Sequence, residues 1–345
     1  MQDWIREVAD GHVLSVAEAE EAFHDIMRGE ASDVEIAAFL AALKARGEAP
    51  SEVAGGVKAL RRVMVEVHLP GDGILDTCGT GGGTLTTFNI STVAALAAAG
   101  GGARVAKHGN RSFTSSCGSA DVLETLGVEI ELEPESLGRL FEEAGLVFMF
   151  APRFHPAMGQ VAPVRRELGV STIMNILGPL TSPARVRRQV VGVSRPGLVE
   201  LVADALAALG HTRALVVHGE PGLDELSPLG ATRGVRLEDG ATEAFEVRPG
   251  DFGWDGLDAA GLAGGAPEEN AAVARDVLRG ERGGAARAAV ELNAAAAFWV
   301  GGVVDDLAAG VERVRDVLDR GAGWEVLERL RDESRRLAAL EEATG

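Results

Sequence analysis

Residues 76–127 hold the densest chemistry in this 345-residue chain. Asp76-Thr-Cys-Gly-Thr-Gly-Gly-Gly83 is followed by Asn89-Ile-Ser-Thr92, then Lys107-His-Gly-Asn-Arg-Ser112, then Cys117-Gly-Ser-Ala-Asp121. Each polar run falls where a strand is expected to end or a helix to begin. Such places present backbone N–H groups outward, which suits a phosphate-rich ligand. Gly79, Gly81, Gly82 and Gly83 let successive N–H groups curl around an anion. No Gly-Lys-Ser/Thr follows, so this is not a Walker A loop, and the dinucleotide G-x-G-x-x-G spacing with a downstream acid is absent. Asn89, Ile90, Ser91 and Thr92 lie at a helix start. Ser91 or Thr92 reads as an N-cap, or as a hydroxyl for phosphate with Ser91 also facing Mg²⁺. Lys107, His108, Gly109, Asn110, Arg111 and Ser112 put two cations, an imidazole and an amide into six residues directly after a buried strand. An anion-binding loop favours that density and structural need does not. Ser112, Thr114, Ser115 and Ser116 add hydroxyl donors, and Ser119 opens the next helix.

Two further features suit the opposite side of such a site. Asp224 and Glu225 are adjacent carboxylates in a Gly-Leu-Asp-Glu-Leu-Ser loop off any regular helix. They fit a hard cation, and they fit an exposed acidic turn equally well. Arg165 and Arg166 lie on a helix after Phe154-His-Pro-Ala-Met158. A planar guanidinium matches a substrate carboxylate; a surface arginine is the plainer reading. His155, beside a proline, reads as structural. Cys78 and Cys117 form no CxxC pair, so neither a zinc site nor a disulfide framework is implied.

The elements that must position these residues follow from the pattern. Residues 1–68 read as helices only, with capping boxes at Ser15/Glu18 and Ser32/Glu35 and a cap at Ser51. Ile36, Phe39, Leu40 and Leu43 make one apolar face. From residue 73 strands and helices alternate. Strands are expected at 73–76, 104–107, 128–132, 146–150, 189–193 and 214–218, with a small hairpin over 235–247. That alternation predicts a mostly parallel α/β sheet. Residues 163–180 return to a helical pattern and are expected to pack back on the first helices. Residues 268–340 are helical again, broken at Gly280, Gly301 and Gly321.

Composition narrows the function classes. Hydrophobic residues are 46% and charged residues 25%, an ordinary globular balance. The 45 glycines exceed the usual share, which fits ligand-approach loops as well as an alanine- and glycine-rich genome. A net charge of −19 opposes DNA, RNA and anionic membranes. The start Met-Gln-Asp-Trp-Ile-Arg-Glu is not a signal peptide and no run of 18 apolar residues exists, so a soluble cytoplasmic protein is expected.

Taken in order, the Gly-Thr-Gly-Gly, Asn-Ile-Ser-Thr, Lys-His-Gly-Asn-Arg-Ser, Cys-Gly-Ser-Ala-Asp-Val-Leu-Glu, Phe-Ala-Pro-Arg-Phe-His-Pro-Ala-Met, Leu-Gly-Pro-Leu and Gly-Leu-Asp-Glu runs resemble the anthranilate phosphoribosyltransferases. The resemblance extends from the first helices to Leu292-Asn-Ala-Ala295. It implies a small discontinuous helical domain, 1–70 with 164–186 packing back, and a larger α/β domain, 71–163 and 187–345. It also implies a homodimer through the helical domain. The implied reaction joins the amine of anthranilate to C1 of phosphoribosyl pyrophosphate (PRPP), the second step of tryptophan biosynthesis. The resemblance puts PRPP on Gly79, Gly82, Thr87, Asn89, Ser91, Thr92, Lys107 and Ser119. It puts anthranilate near Asn110 and Arg165, with His108 and Pro179 along its route, and Mg²⁺ on Ser91, Asp224 and Glu225. The sequence departs from the pattern at Gly83, where the family carries Asp, at Ser171 for Arg, at Met174 for Phe and at Ser182 for Asn. Gly83 and Ser171 keep open transfer to another aromatic acid. A pyrimidine nucleoside phosphorylase is a rival of similar architecture, but its Thr-Asp-x-Leu-Glu is Ser119-Ala-Asp-Val-Leu-Glu124 here. A non-enzymatic nucleic-acid-binding relative is a second rival, and the acidic charge opposes it.

Overall fold

The computed structural model describes residues 1–112 and 116–344. Four helices come first: α1 Gln2–Ala9, α2 Val16–Met27, α3 Asp33–Arg46 and α4 Pro50–Val63. Both expected capping boxes form. Glu18 N donates to Ser15 Oγ at 3.3 Å and Ser15 N to Glu18 Oε2 at 2.8 Å; Ser32 and Glu35 repeat the pattern. The cap expected at Ser51 is displaced. Pro50 occupies the first helical position, where its fixed φ and missing N–H fit, and Glu52 receives Ala49 N at 2.9 Å. Ser51 Oγ instead donates to Leu14 O at 2.7 Å.

The α/β part runs β1 Asp76–Gly79, α5 Ile90–Gly100, β2 Val105–Gly109, α6 Ser119–Thr125, α7 Pro134–Ala144 and β3 Leu146–Phe150. After α8 Ala151–Phe154, α9 Ala162–Leu168 and α10 Met174–Leu180 come β4 Arg188–Gly192, α11 Val199–Ala208, β5 Arg213–Gly219, β6 Thr232–Glu238 and β7 Ala241–Val247. Four helices close the chain: α12 Pro267–Leu278, α13 Gly284–Gly301, α14 Leu307–Asp319 and α15 Ala322–Thr344. No helix among the described residues is long and apolar enough to cross a membrane.

The main sheet has the order β1-β4-β5-β6-β7, parallel to β5 and antiparallel beyond, so the small hairpin extends the sheet. β2 and β3 form a parallel pair whose backbone bridges the main sheet, among the described residues, at Leu75–Val105. Three strand expectations need correction. The first strand begins at Asp76, so the acid and first glycine are inside it. β2 runs on past Lys107 through His108 to Gly109, and Lys107 and His108 are both buried. Residues 128–132 join no ladder; α15 covers them, and Glu129 N donates to Ser334 Oγ at 3.0 Å.

Apolar residues gather in two clusters. One surrounds β1–β3 with α5, α13 and α15. The other joins α1–α4 to Val161, Val164, Ile173, Leu177 and Leu180, and to α11 and residues of β4–β6. The segment 161–180 therefore buries its apolar side among the N-terminal helices. The result is a small helical domain beside a larger α/β domain with a mostly parallel sheet.

Candidate active site

The C-terminal ends of parallel strands present loops at one edge of a sheet, the usual place for a ligand in open α/β folds. Here β1 runs into the glycine loop, where Gly81 and Gly82 hold φ of +68° and +80°, values that disfavour any side chain. Gly81 N donates to Asp224 Oδ2 at 2.8 Å, and Thr84 N donates to Gly222 O at 2.9 Å. The loop is thus seated on the acidic turn after β5. A Cβ on Gly192 of β4 would collide with the Asp224 carbonyl, so close approach requires glycine there.

Lys107 is 3% exposed and inside β2. Its Nζ donates to Thr77 O at 2.6 Å and Ser91 Oγ at 3.3 Å. Ser91 N in turn donates to Glu225 Oε1 at 3.1 Å. The strand, the helix start and the acidic turn, separate in sequence, therefore meet at Ser91. Burial pushes the Asp224 carboxyl up; burial and then the neighbouring Asp224 charge push Glu225 up. Carboxylates that resist ionising side by side are relieved by a cation. These carboxylates and the Ser91 hydroxyl are oxygen donors of the kind Mg²⁺ takes together with substrate phosphates. Among the described residues, Glu7, His12 and Glu18 also bring three ligand atoms within 4.8 Å, on the helical domain, with Glu7 and His12 exposed.

β1 and β2 part after Leu75–Val105, and side chains replace the missing ladder. His108 N donates to Asp76 Oδ1 at 3.2 Å, while Thr77 O takes the Lys107 ammonium. Asp76 is fully buried, its Oδ2 has no partner, and burial pushes it up to about 7 against the pull of Lys107. The polar segments of the sequence left Asp76 without a role.

The helix-start reading needs adjustment. The N-cap of α5 is Asn89, without a side-chain cap bond. Its amide Nδ2 donates to Cys117 O at 3.1 Å and its Oδ1 receives Asn270 Nδ2 at 3.0 Å. Asn89 thereby ties the loop before α6 to the start of α12. Ile90 and Thr92 are buried, Thr92 with its hydroxyl unpartnered. Thr87 bridges Ala263. Asn270, 2% exposed, carried no signal beyond its amide in the sequence.

In the loop after β2, Asn110 is exposed; its Oδ1 receives Arg111 N at 2.7 Å and its carbonyl receives Ser119 Oγ at 3.3 Å. Arg111 turns its guanidinium to Glu124, with Asp121 and Glu131 nearby, so its charge is not free for an anion. Ser112 N donates to Asp121 Oδ2 at 3.0 Å. Gly109 ends β2. Thr114 and Ser115 lie outside the described residues.

Arg165 on α9 is half-buried, and no carboxylate or other hydrogen-bond partner meets its guanidinium among the described residues. Burial lowers its pKa, yet arginine stays charged. His108 stacks obliquely on His155, ring centroids 5.0 Å apart, and neither Nε2 has a partner. Burial depresses both, His155 to about 4, so both are neutral near pH 7. Pro179 lies within α10, and its carbonyl receives Gln189 Nε2 at 2.9 Å. Burial raises both thiols, Cys117 to about 11, in keeping with structural cysteines. At Gly83 a Cβ would stand 2.8 Å from Gly222 O, so the backbone here is shaped for glycine. Met174 and Ser182 are buried and Ser171 is exposed, which makes the first two packing positions.

A helical domain with an α/β domain whose strand ends and following loops gather glycines, a lysine and two carboxylates defines a class. Residues 2–64 match the helical bundle domain of the glycosyl transferase family, and residues 71–324 its a/b domain. The chain is 48% identical to the anthranilate phosphoribosyltransferase of Rubrobacter xylanophilus over 98% of each chain. It superposes on the crystal structure of that enzyme from Thermus thermophilus with TM-score 0.91, 45% identity and coverage of 96% of this chain and 99% of that one. The Saccharomyces cerevisiae enzyme in complex with PRPP and Mg matches at TM-score 0.88 and 27% identity, covering 97% and 98%. The same yeast enzyme with 4-fluoroanthranilate matches at 0.84 and 26%, covering 94% of each chain. This chain belongs to the anthranilate phosphoribosyltransferase family of glycosyl transferases.

Proposed function

We propose that the protein transfers the phosphoribosyl group of PRPP to the amine of anthranilate, giving N-(5-phosphoribosyl)anthranilate and pyrophosphate in tryptophan biosynthesis. The observation that carries this reading is the Lys107–Ser91–Glu225 junction, which joins three separate polar runs at one strand-end edge. The yeast relative with PRPP and Mg supports the same choice of substrate and ion.

In this reading PRPP lies across Gly79, Gly82, Gly83, Thr87, the start of α5 and Ser119. Asp224, Glu225 and Ser91 would hold Mg²⁺, which would supply counter-charge to the pyrophosphate when bound. As the C1–O bond breaks, the electron pair leaves with pyrophosphate and the ribose becomes cationic at C1. Lys107 stabilises the leaving group. The lone pair of the aryl amine forms the C1–N bond, and the nitrogen then gives its proton to the departing pyrophosphate or to solvent. An aryl amine is neutral at pH 7, so no strong base is required before attack. Positioning supplies most of the remaining acceleration. Arg165 clamps the anthranilate carboxylate and aims the amine, with Asn110 beside it and the neutral His108 ring along the route.

The residues 1–70 with 164–186 form the helical domain and the remainder the phosphoribosyl-binding domain. The two apolar clusters support that division, although α11 joins the helical one. Val34, 78% exposed, and Val13, 49% exposed, leave apolar surface on the helical domain, in keeping with a homodimer formed there. A PRPP-consuming enzyme belongs with its substrate in the cytoplasm.

The test is to mix the protein with Mg²⁺, PRPP and anthranilate. Anthranilate fluorescence is expected to fall only when PRPP is present. Absence of that loss, with phosphorolysis of uridine or thymidine instead, would overturn the reading.

A further inference from the structure

The acidic turn closes part of itself, through Leu223 N to Gly219 O and Ser227 Oγ to Glu220 O, but its centre is held from outside. Residues 220–231 link β5 to β6 without a helix or a named strand. Leu226, next to Glu225, is fully buried, so its N–H and C=O both need partners. One side chain takes both. Asn293 Oδ1 receives Leu226 N at 3.0 Å, and Asn293 Nδ2 donates to Leu226 O at 2.9 Å. The same Nδ2 also donates to Ala289 O at 2.9 Å, one turn back on α13, which locks the amide in place.

Asn293 is 3% exposed, and α13 is buried along most of its 18 residues, so the anchor is rigid. On its other side the turn abuts β4, where a Cβ on Gly192 would collide with Asp224. The acidic turn is clamped between a strand and a helix. The amide imitates a neighbouring strand at a point where none runs.

We propose that Asn293 is a positioning residue for the cation site, fixing the Leu226 backbone so that Asp224 and Glu225 face the glycine loop and Ser91. The proposal rests on the reading of these carboxylates as cation ligands. Asn293 touches neither the cation nor a substrate in this scheme. Changing such a supporting contact typically weakens metal binding by about 10–100-fold.

Asn293→Asp keeps the acceptor for Leu226 N and sets an oxygen against Leu226 O. Free Mn²⁺, followed by electron paramagnetic resonance in the presence of PRPP, reports binding without turnover. Asn293→Asp and Asp224→Asn are each expected to bind Mn²⁺ at least about tenfold more weakly than wild type. Asn293→Asp is also expected to need more Mg²⁺ for half-maximal activity, with KM for anthranilate within about twofold. If Asp224→Asn weakens Mn²⁺ binding while Asn293→Asp does not, the proposal falls alone. Unchanged Mn²⁺ binding in Asp224→Asn overturns the cation site and the proposal together. A lowered melting temperature with activity lost uniformly and Mn²⁺ affinity intact marks a purely structural amide, and also overturns it. Should Asn293→Asp fail to fold, Asn293→Ala, which leaves room for water beside Leu226, carries the same comparison.

Discussion

The glycine-loop cradle and the groups proposed for the acceptor, Arg165 and the His108–His155 pair, differ in how their polar groups are satisfied. On the first, Gly81 meets Asp224, Ser91 meets Glu225, and Lys107 meets Thr77 and Ser91. On the second, the Arg165 guanidinium and the Nε2 atoms of His108 and His155 have no partner among the described residues. The first is a cradle whose residues hold one another in place before any ligand arrives, the arrangement expected of electrostatic preorganisation. The second is a set of polar groups without such partners, a costly state for buried groups, and in the proposed function a ligand completes it. Substitution in the cradle should disturb architecture and chemistry together; substitution of Arg165 should affect one substrate.

Withdrawal of divalent cation tests the cradle most severely. Chelation is expected to abolish turnover, and added Mg²⁺ to restore it, as followed by anthranilate fluorescence. Next, Lys107→Ala is expected to lower kcat/KM for PRPP by about 10²–10³-fold, the usual loss for one preorganised charge; steady-state kinetics at saturating anthranilate measures it. Arg165→Ala is expected to raise KM for anthranilate by about 10–100-fold, the scale of a charge-assisted hydrogen bond of about 1.5–3 kcal/mol. A selective rise in KM for PRPP would erase the contrast between the two sides.

The smallest effect concerns Asp76. Its folded-state pKa of about 7 stands above the ordinary 3.8 because of burial. The folded protein therefore keeps a proton that the unfolded chain releases, and stability falls as pH rises from about 4 to about 7. Asp76→Asn removes this dependence. Its melting temperature relative to wild type is expected to be more favourable at about pH 8 than at about pH 5, by calorimetry.

The sequence was most legible where local chemistry decides structure. The Ser15 and Ser32 capping boxes, the strand at Leu146–Phe150 and the glycine breaks at 280 and 321 need only neighbouring residues, while the break expected at Gly301 falls one residue on, at Gly302. Boundaries set by distant partners were less legible. Lys107 ends the expected strand 104–107, but the sequence does not show that its ammonium turns inward to Thr77 O and Ser91 Oγ where the sheet divides. Residues 128–132 have strand chemistry but face α15 in place of a strand. Arg111 reads as an anion binder until Glu124 is seen beside it. Among the site residues, the glycines and adjacent carboxylates announce themselves by type. Asp76, Asn270 and Asn293 do not, because their roles are hydrogen bonds to backbone or side chains far away in the chain.

The most direct measurement follows one product and one substrate at once. With Mg²⁺, PRPP and anthranilate, pyrophosphate released and anthranilate consumed are expected to rise in a one-to-one ratio, and neither without the other substrate. Pyrophosphate release that proceeds without anthranilate consumption, or no release at all while a nucleoside is cleaved by phosphate, would contradict the account.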